Sequence, residues 1–251
     1  MNLLYRQLIV FIIVSTVFAA CKDDGSSDDQ GNDSDKKFTS QQYNRPDSEL
    51  KYLDTPGDRL YDRLYFIGWS KDGKVAYITE PADEATGYYF FNFIILDSKT
   101  DKQLFEWKID VDDASYEGSL KQTWQNNKER FSEALNEHKI YPLKADIKKF
   151  PFNVEDQTYS LSHDIEYEKH EYFPFDVVSR AEFFLQNDNQ KKSIFQKKYD
   201  ADLKLNVKAT GCILSPYSND ALLLIAEEQR GYEGPPHLIR LEVSGFEFSE
   251  N

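Results

Sequence analysis

The sequence predicts a mainly β fold, an antiparallel meander with one inserted amphipathic helix, and three observations carry that reading. From Phe38 onward, runs rich in Val, Ile, Phe and Tyr are separated by turn signals. These runs do not alternate with helical patterns, as parallel βαβ units would require. Only one segment repeats its apolar residues at helical spacing. A β-sandwich is the alternative arrangement of the same strands.

The first strands are expected near 63–69, 74–80, 89–96 and 103–110. In the third, Tyr88, Tyr89, Phe90, Phe91 and Phe93 follow Gly87. Alternation turns Tyr89, Phe91 and Phe93 to one side and Phe90 and Ile94 to the other, as in a strand buried on both faces. At a loop edge the same rings could instead stack on a sugar or anchor a partner. The helix is expected from about Ser115 to Lys139, because Leu120, Trp124, Phe131, Ala134 and Leu135 form one stripe. Pro142 prevents its continuation. Just upstream, Asp110, Asp112, Asp113, Ser115 and Glu117 place oxygens at near-alternating positions. The central glycine and closing bidentate acid of a calcium loop are missing, so Asp112, Asp113 and Ser115 fit better as acceptors at the helix N-terminus. A second group of strands follows near 157–168, 177–187, 191–199, 206–214, 221–227 and 237–243, with Asn187-Asp188-Asn189 as a hairpin turn.

The body also carries a faint internal repeat. Ile67-Gly-Trp-Ser70, Lys71-Asp72-Gly73 and Val75–Glu80 are echoed by Ile213-Leu-Ser215, Asn219-Asp220 and Leu222–Glu227. Downstream, Gly87-Tyr88 before Ile94–Asp97 is echoed by Gly231-Tyr232 before Ile239–Glu242. Such a unit resembles one blade of the propeller proteins that carry Ser-Pro-Asp-Gly-Lys turns, which implies propeller-like blades. Two copies fall short of a closed ring, so a sandwich or open meander stays open. In order, Phe66–Gly73, the helix before His138-Lys-Ile140 and Gly231–Pro235 resemble an uncharacterised family of predicted secreted bacterial proteins over most of 60–245. That resemblance implies export and a β-rich body but no reaction.

With 44 Asp plus Glu against 30 Lys plus Arg, the formal charge of −14 excludes nucleic acid as the expected partner. Two cysteines permit at most one bridge, so packing of 18 Phe, 16 Tyr and 3 Trp must supply stability. Arg6 and the 13-residue apolar run Leu8–Ala20 read as a secretory signal, too short to span a bilayer comfortably. Phe18-Ala19-Ala20-Cys21 resembles the lipobox of bacterial lipoproteins, with Phe18 in place of the usual Leu. The resemblance implies cleavage after residue 20 and a lipid such as palmitate on Cys21. The expected location is therefore the cell envelope, at the outer membrane, facing the periplasm or the medium. Residues 21–37 form an acidic tether without apolar side chains after Cys21, spanning on the order of 20 Å, ahead of a single β-rich domain over 38–251. Lys22-Asp23-Asp24 looks like the acidic export signal of some surface lipoproteins, although any polar tether has this composition.

For chemistry, Ser162 to His170 is the only stretch with metal-ligand character. On a strand, Asp164, Glu166, Glu168 and His170 share one face and offer ligands for a divalent cation. Neighbours at i and i+2 stand about 7 Å apart, so a second segment would have to assist, and a solvated acidic face explains the pattern as well. No Gly-x-Ser-x-Gly elbow occurs. Cys212, between Gly211 and Ile213, reads as a buried hydrophobe. Gly231, Tyr232, Glu233, Gly234 and Pro235 form the candidate binding loop. Together these features predict a non-catalytic binding module on a lipid anchor, with an envelope or extracellular protein or a glycan as partner and no cofactor beyond the lipid. The alternative is an envelope hydrolase using carboxylates or a divalent metal.

Overall fold

The computed structural model describes residues 38–54, 59–188, 190–199, 203–231, 234, 235 and 237–248. The signal sequence, Cys21 and the tether lie outside the described residues. From Phe38 onward the chain is a mainly β structure made of three sheets.

Strand β1 (Leu60–Tyr61) is short, and β2 (Arg63–Trp69) and β3 (Lys74–Glu80) form the first hairpin. Its turn is closed by the Ser70 amide on the Lys74 carbonyl at 2.7 Å and by the Lys74 amide on Ser70 Oγ at 2.7 Å. Gly73 sits at φ +91°, where a side chain would be strained and its Cβ would meet Asp220 Oδ2 at 2.7 Å. Strands β4 (Asn92–Asp97) and β5 (Lys102–Lys108) continue the antiparallel meander.

The expected long helix is two shorter ones, α1 (Leu120–Asn126) and α2 (Lys128–Glu137), with Asn127 between them in a non-helical conformation. The apolar stripe is nonetheless as expected: Leu120, Trp124, Phe131, Ala134 and Leu135 are all buried against β2–β5. Phe131 is the centre of this contact, stacked on Phe93 at 4.6 Å and edge-on to Trp107 at 5.3 Å. The start of the helix differs from expectation, because Ser119 is the N-cap, accepting from the Gln122 amide at 3.3 Å. Asp110 and Asp113 form a turn instead, the Asp113 amide donating to the Asp110 carbonyl. Strand β6 (Tyr141–Pro142) then pairs with β2 opposite Gly68, where any Cβ would lie 1.9 Å from the Tyr141 oxygen.

Strands β7 (Phe152–Val154), β8 (Gln157–Lys169), β9 (Asp176–Gln186) and β10 (Lys191–Lys198) form a second meander. Strands β11 (Lys204–Leu214), β12 (Asp220–Gln229) and β13 (Leu238–Glu247) form a third, with β1 added parallel to β13. The sheet orders are β5-β4-β3-β2-β6, β10-β9-β8-β7 and β1-β13-β12-β11.

The third sheet is the middle layer. Leu222, Leu224 and Ala226 pack with Val75, Tyr77 and Leu96 of the first sheet. Alternate residues Ala221, Leu223 and Ile225 pack with Ala181, Phe183 and Leu185 of the second. The order of layers is thus helices, first sheet, third sheet, second sheet, each sheet being built on an antiparallel meander.

The repeat holds at the two hairpins β2–β3 and β11–β12. In the second, the Ser215 amide donates to the Asp220 carbonyl at 2.9 Å, as Ser70 does to Lys74. It shifts in the following strand. Asp97 pairs with Lys74 and Glu247 pairs with Asp220, so the partner of Ile94–Asp97 is 244–247, five residues beyond 239–242.

Phe131→Ala should cost about 3–5 kcal/mol, because it removes the ring on which Phe91, Phe93, Trp107 and Trp124 converge. Urea unfolding followed by tryptophan fluorescence measures this. A loss below about 1 kcal/mol would mean that the helices contribute little to the stack.

Candidate functional site

Asp164, Glu166 and Glu168 share the outward face of β8, while Tyr159, Leu161 and Ile165 turn toward the core. Glu166 Oε1 accepts from Arg180 Nη1 at 2.7 Å, and Arg180 also contacts Glu182. His170 lies one residue beyond the strand, where its Nδ1 accepts from the Tyr172 amide at 3.1 Å. Among the described residues no three His, Cys, Asp or Glu side chains converge in a metal-binding arrangement. What this face can do with these partners is hold an ion-pair ladder across β8 and β9.

The tip of the long β8–β9 hairpin has a different character. Phe173 and Phe175 stack at 5.2 Å and 10°, and the His170 ring lies 4.8 Å from Phe173. Tyr172 is 78% exposed. The Arg230 guanidinium sits 4.6 Å over Phe173, a cation–π contact that joins this tip to the β12–β13 loop. Of the loop nominated by sequence, Gly231 donates its amide to His237 Nδ1 at 3.4 Å and accepts from the Gly234 amide at 3.2 Å. Gly234 is at φ +108° with open space around it, and Pro235 follows on the surface. Tyr232 and Glu233 lie outside the described residues.

From this loop a string of contacts crosses the end of the stack. Leu60 donates its amide to the His237 carbonyl at 3.2 Å. Asp62 then gathers three donors: the Ala82 amide at 2.8 Å, the Leu241 amide at 3.0 Å and Arg240 Nη1 at 3.0 Å. Arg240 Nη1 also binds the Ala82 carbonyl at 2.6 Å. The β3–β4 loop is thereby fixed beside β1.

Between them opens a cleft of about 260 Å³ whose lining includes Arg59, Tyr61, Arg63, Glu80, Asp83 and Tyr88. Glu80 is its buried carboxylate, accepting from Tyr65 Oη at 2.8 Å and Tyr89 Oη at 2.7 Å. Burial and the adjoining Glu80 carboxylate push the Tyr65 phenol up to about 12 and raise that of Tyr89 as well, so both remain donors at neutral pH.

A second buried carboxylate, Glu227, is locked in a different way. It accepts from Tyr199 Oη at 2.8 Å, Lys197 Nζ at 2.9 Å and Lys204 Nζ at 3.0 Å, and Lys197 reaches Glu242 at 2.7 Å. Burial alone would raise the Glu227 carboxyl. The hydrogen bond from Lys197 and the charges of Lys204 and Lys197 outweigh it and hold the group below the usual carboxylate range. Sequence reasoning overlooked both glutamates, although each closes the second strand of a repeat unit, at Val75–Glu80 and Leu222–Glu227. Cys212 is fully buried, and burial pushes its thiol up to about 12, which leaves no thiolate for attack.

No protein-family model, no curated protein and no solved structure matches this chain.

Two outcomes follow from the buried groups. In native protein at pH 8, iodoacetamide should leave Cys212 unmodified and label it only after denaturation, as peptide mass spectrometry would reveal; rapid native labelling would contradict the burial. Because the Glu227 carboxyl is depressed on folding, its stabilisation is complete above the unfolded value of about 4.3 and is lost as pH falls below it. The stability gap between the native chain and Glu227→Gln should therefore shrink from pH 6 to pH 3 in urea titrations. A gap that does not change with pH would refute the linkage.

Proposed function

We propose that this chain is a lipid-anchored protein of the bacterial cell envelope, held at the outer membrane through acylated Cys21, and that its body is a non-catalytic binding module. The observation that supports a binding role is the end of the sheet stack. Loops from all three sheets meet there and display exposed and half-exposed aromatic rings beside charged groups: Tyr172, Phe173 and Phe175 with Arg230, and Tyr61 and Tyr88 with Arg63 and Glu80. Aromatic and arginine side chains set in rigid surroundings are the groups that carry most binding energy at interfaces. The Asp62 and Arg240 contacts supply that rigidity, so little ordering entropy is lost when a partner docks. The anchor reading is supported by the apolar run Leu8–Ala20 ending at Cys21. On this reading, the tether sets how far the binding end can search from the membrane.

Cys21→Ser should abolish lipid labelling and either release the protein into the soluble fraction or leave it as the unprocessed precursor. Unchanged labelling would overturn the anchor. For the binding role, cross-linking of intact and permeabilised cells should yield a discrete adduct that the double variant Tyr172→Ala, Phe173→Ala weakens. Absence of an adduct in both preparations, with a known envelope protein reacting normally, would overturn it.

A further inference from the structure

We propose that the cleft between the β1–β2 segment and the β3–β4 loop binds one saccharide ring of a glycan, an inference that rests on the binding role above and gives it a ligand class. The cleft holds about 260 Å³, slightly below the roughly 300–1,000 Å³ of sites for drug-sized ligands. That size suits a single ring.

Its chemistry selects among small ligands. A cation drawn to Glu80 and Asp83 would also face Arg59 and Arg63, and an anion drawn to the arginines would face the two carboxylates. A neutral polyhydroxylated ring meets neither conflict, because each hydroxyl both donates and accepts. Carboxylates take its protons and the Arg63 guanidinium meets its oxygens, Arg59 being steadied by its Nε bond to Glu228 at 2.8 Å. The rings of Tyr61 and Tyr88 supply apolar faces for its C–H surface.

The polar groups are positioned in advance. Tyr65 and Tyr89 each hold one oxygen of Glu80, which leaves each oxygen a further lone pair for a ligand hydroxyl. Arg63 Nη1 stands 3.6 Å from Glu80 Oε2, and its Nε stands 4.0 Å from Glu49 Oε2. Both separations exceed hydrogen-bond length; the guanidinium also hydrogen-bonds Tyr65, and the rest of its five N–H donors stay open to a ligand. Asp83 Oδ2 accepts the Thr86 and Gly87 amides, which fixes the opposite wall, and Tyr88 is steadied by Tyr116 at 4.6 Å. The site is therefore ready to take a ring without rearrangement, as weak lectin-like binding of one sugar residue requires.

The test uses the full chain in detergent and the methyl glycosides of glucose, galactose, mannose and N-acetylglucosamine as probes. Saturation-transfer NMR and titration should show at least one glycoside binding saturably in the millimolar range. Arg63→Ala and Tyr88→Ala should each weaken it about ten-fold or more, as expected on losing a charge-assisted hydrogen bond or a stacking face. Arg130→Ala, on the exposed side of α2, should leave it within about two-fold. Thermal melting establishes that each variant is folded, and Arg63→Lys replaces Arg63→Ala if the latter is not. Failure of all four glycosides to bind saturably would overturn the inference, and binding insensitive to both cleft variants would overturn the site. If glycosides fail while the cellular adduct persists, the saccharide assignment falls and the binding role stands; loss of both removes both.

Discussion

The middle sheet is the constraint on which the rest of this structure depends. Strand β12 is buried from Asp220 to Ala226, and its alternate side chains enter two different cores. Each fully buried aliphatic side chain there contributes about 1.5–3 kcal/mol of apolar transfer free energy. A fault in this strand would loosen two sheet contacts at once. Two-sided burial also dictates what happens to its polar residues, since an unpaired charge at such a position is far costlier than any single apolar contact is favourable. Asp220 accordingly accepts from Ser218 Oγ at 2.6 Å and lies 3.9 Å from Lys99 Nζ. Glu227, at the other end of the strand, has two lysines and a tyrosine.

The same constraint explains why candidate chemistry collects at one end of the stack. Strand interiors are committed to packing, so charged groups are admitted where strands finish and loops begin. Glu80 ends β3 and Glu227 lies near the end of β12, yet their surroundings assign them different work. Glu227 is saturated by Lys197, Tyr199 and Lys204, and breaking that set would leave an uncompensated buried charge. Glu80 is held by two neutral phenols and one more distant arginine, and it borders a cleft. The first arrangement is a lock between sheets, and the second is a carboxylate kept in position with capacity to spare.

Much of the fold was legible because its strands obey simple local rules. The expected β2 and β3 agree with the structure residue for residue, and the stripe from Leu120 to Leu135 identified the helical face even though the helix breaks at Asn127. The break was hidden because an apolar stripe reports which side faces the core and not whether the backbone is continuous. The third strand starts at Asn92 instead of Tyr89, since the Tyr89 backbone pairs with Ser115, its amide donating to the Ser115 carbonyl at 3.0 Å. Strand β1 was invisible because two residues carry no period and its partner, β13, is distant in sequence. The site was less legible than the fold. Gly231 to Pro235 stood out through turn chemistry, but its neighbours Phe173 and Phe175 come from a hairpin about sixty residues upstream. Arg63 and Glu80 already face each other across the β2–β3 hairpin, but the β3–β4 loop that carries Tyr88 is held at Ala82 by Asp62 and Arg240, a pairing of residues 178 apart in sequence.

The open stacking of the three sheets has one physical origin. Successive four-stranded meanders close into a ring only if every face can accept a neighbour. Here the outer face of the first sheet is filled by α1 and α2, through Phe131 against Phe91 and Phe93. The outer face of the second sheet carries Asp164, Glu166, Arg180 and Glu182, with Arg180 paired to Glu166 across β8 and β9. A further sheet packed on that face would have to desolvate these charges without new partners, at a cost exceeding the apolar area it could bury. The two flat outer faces of the stack are thus covered by different means, an apolar helix layer on one side and an ion-pair face on the other. With both flat faces committed in this way, the rim of loops is where exposed aromatic rings and charged groups meet, and that is where the hairpin tip and the Glu80 cleft lie.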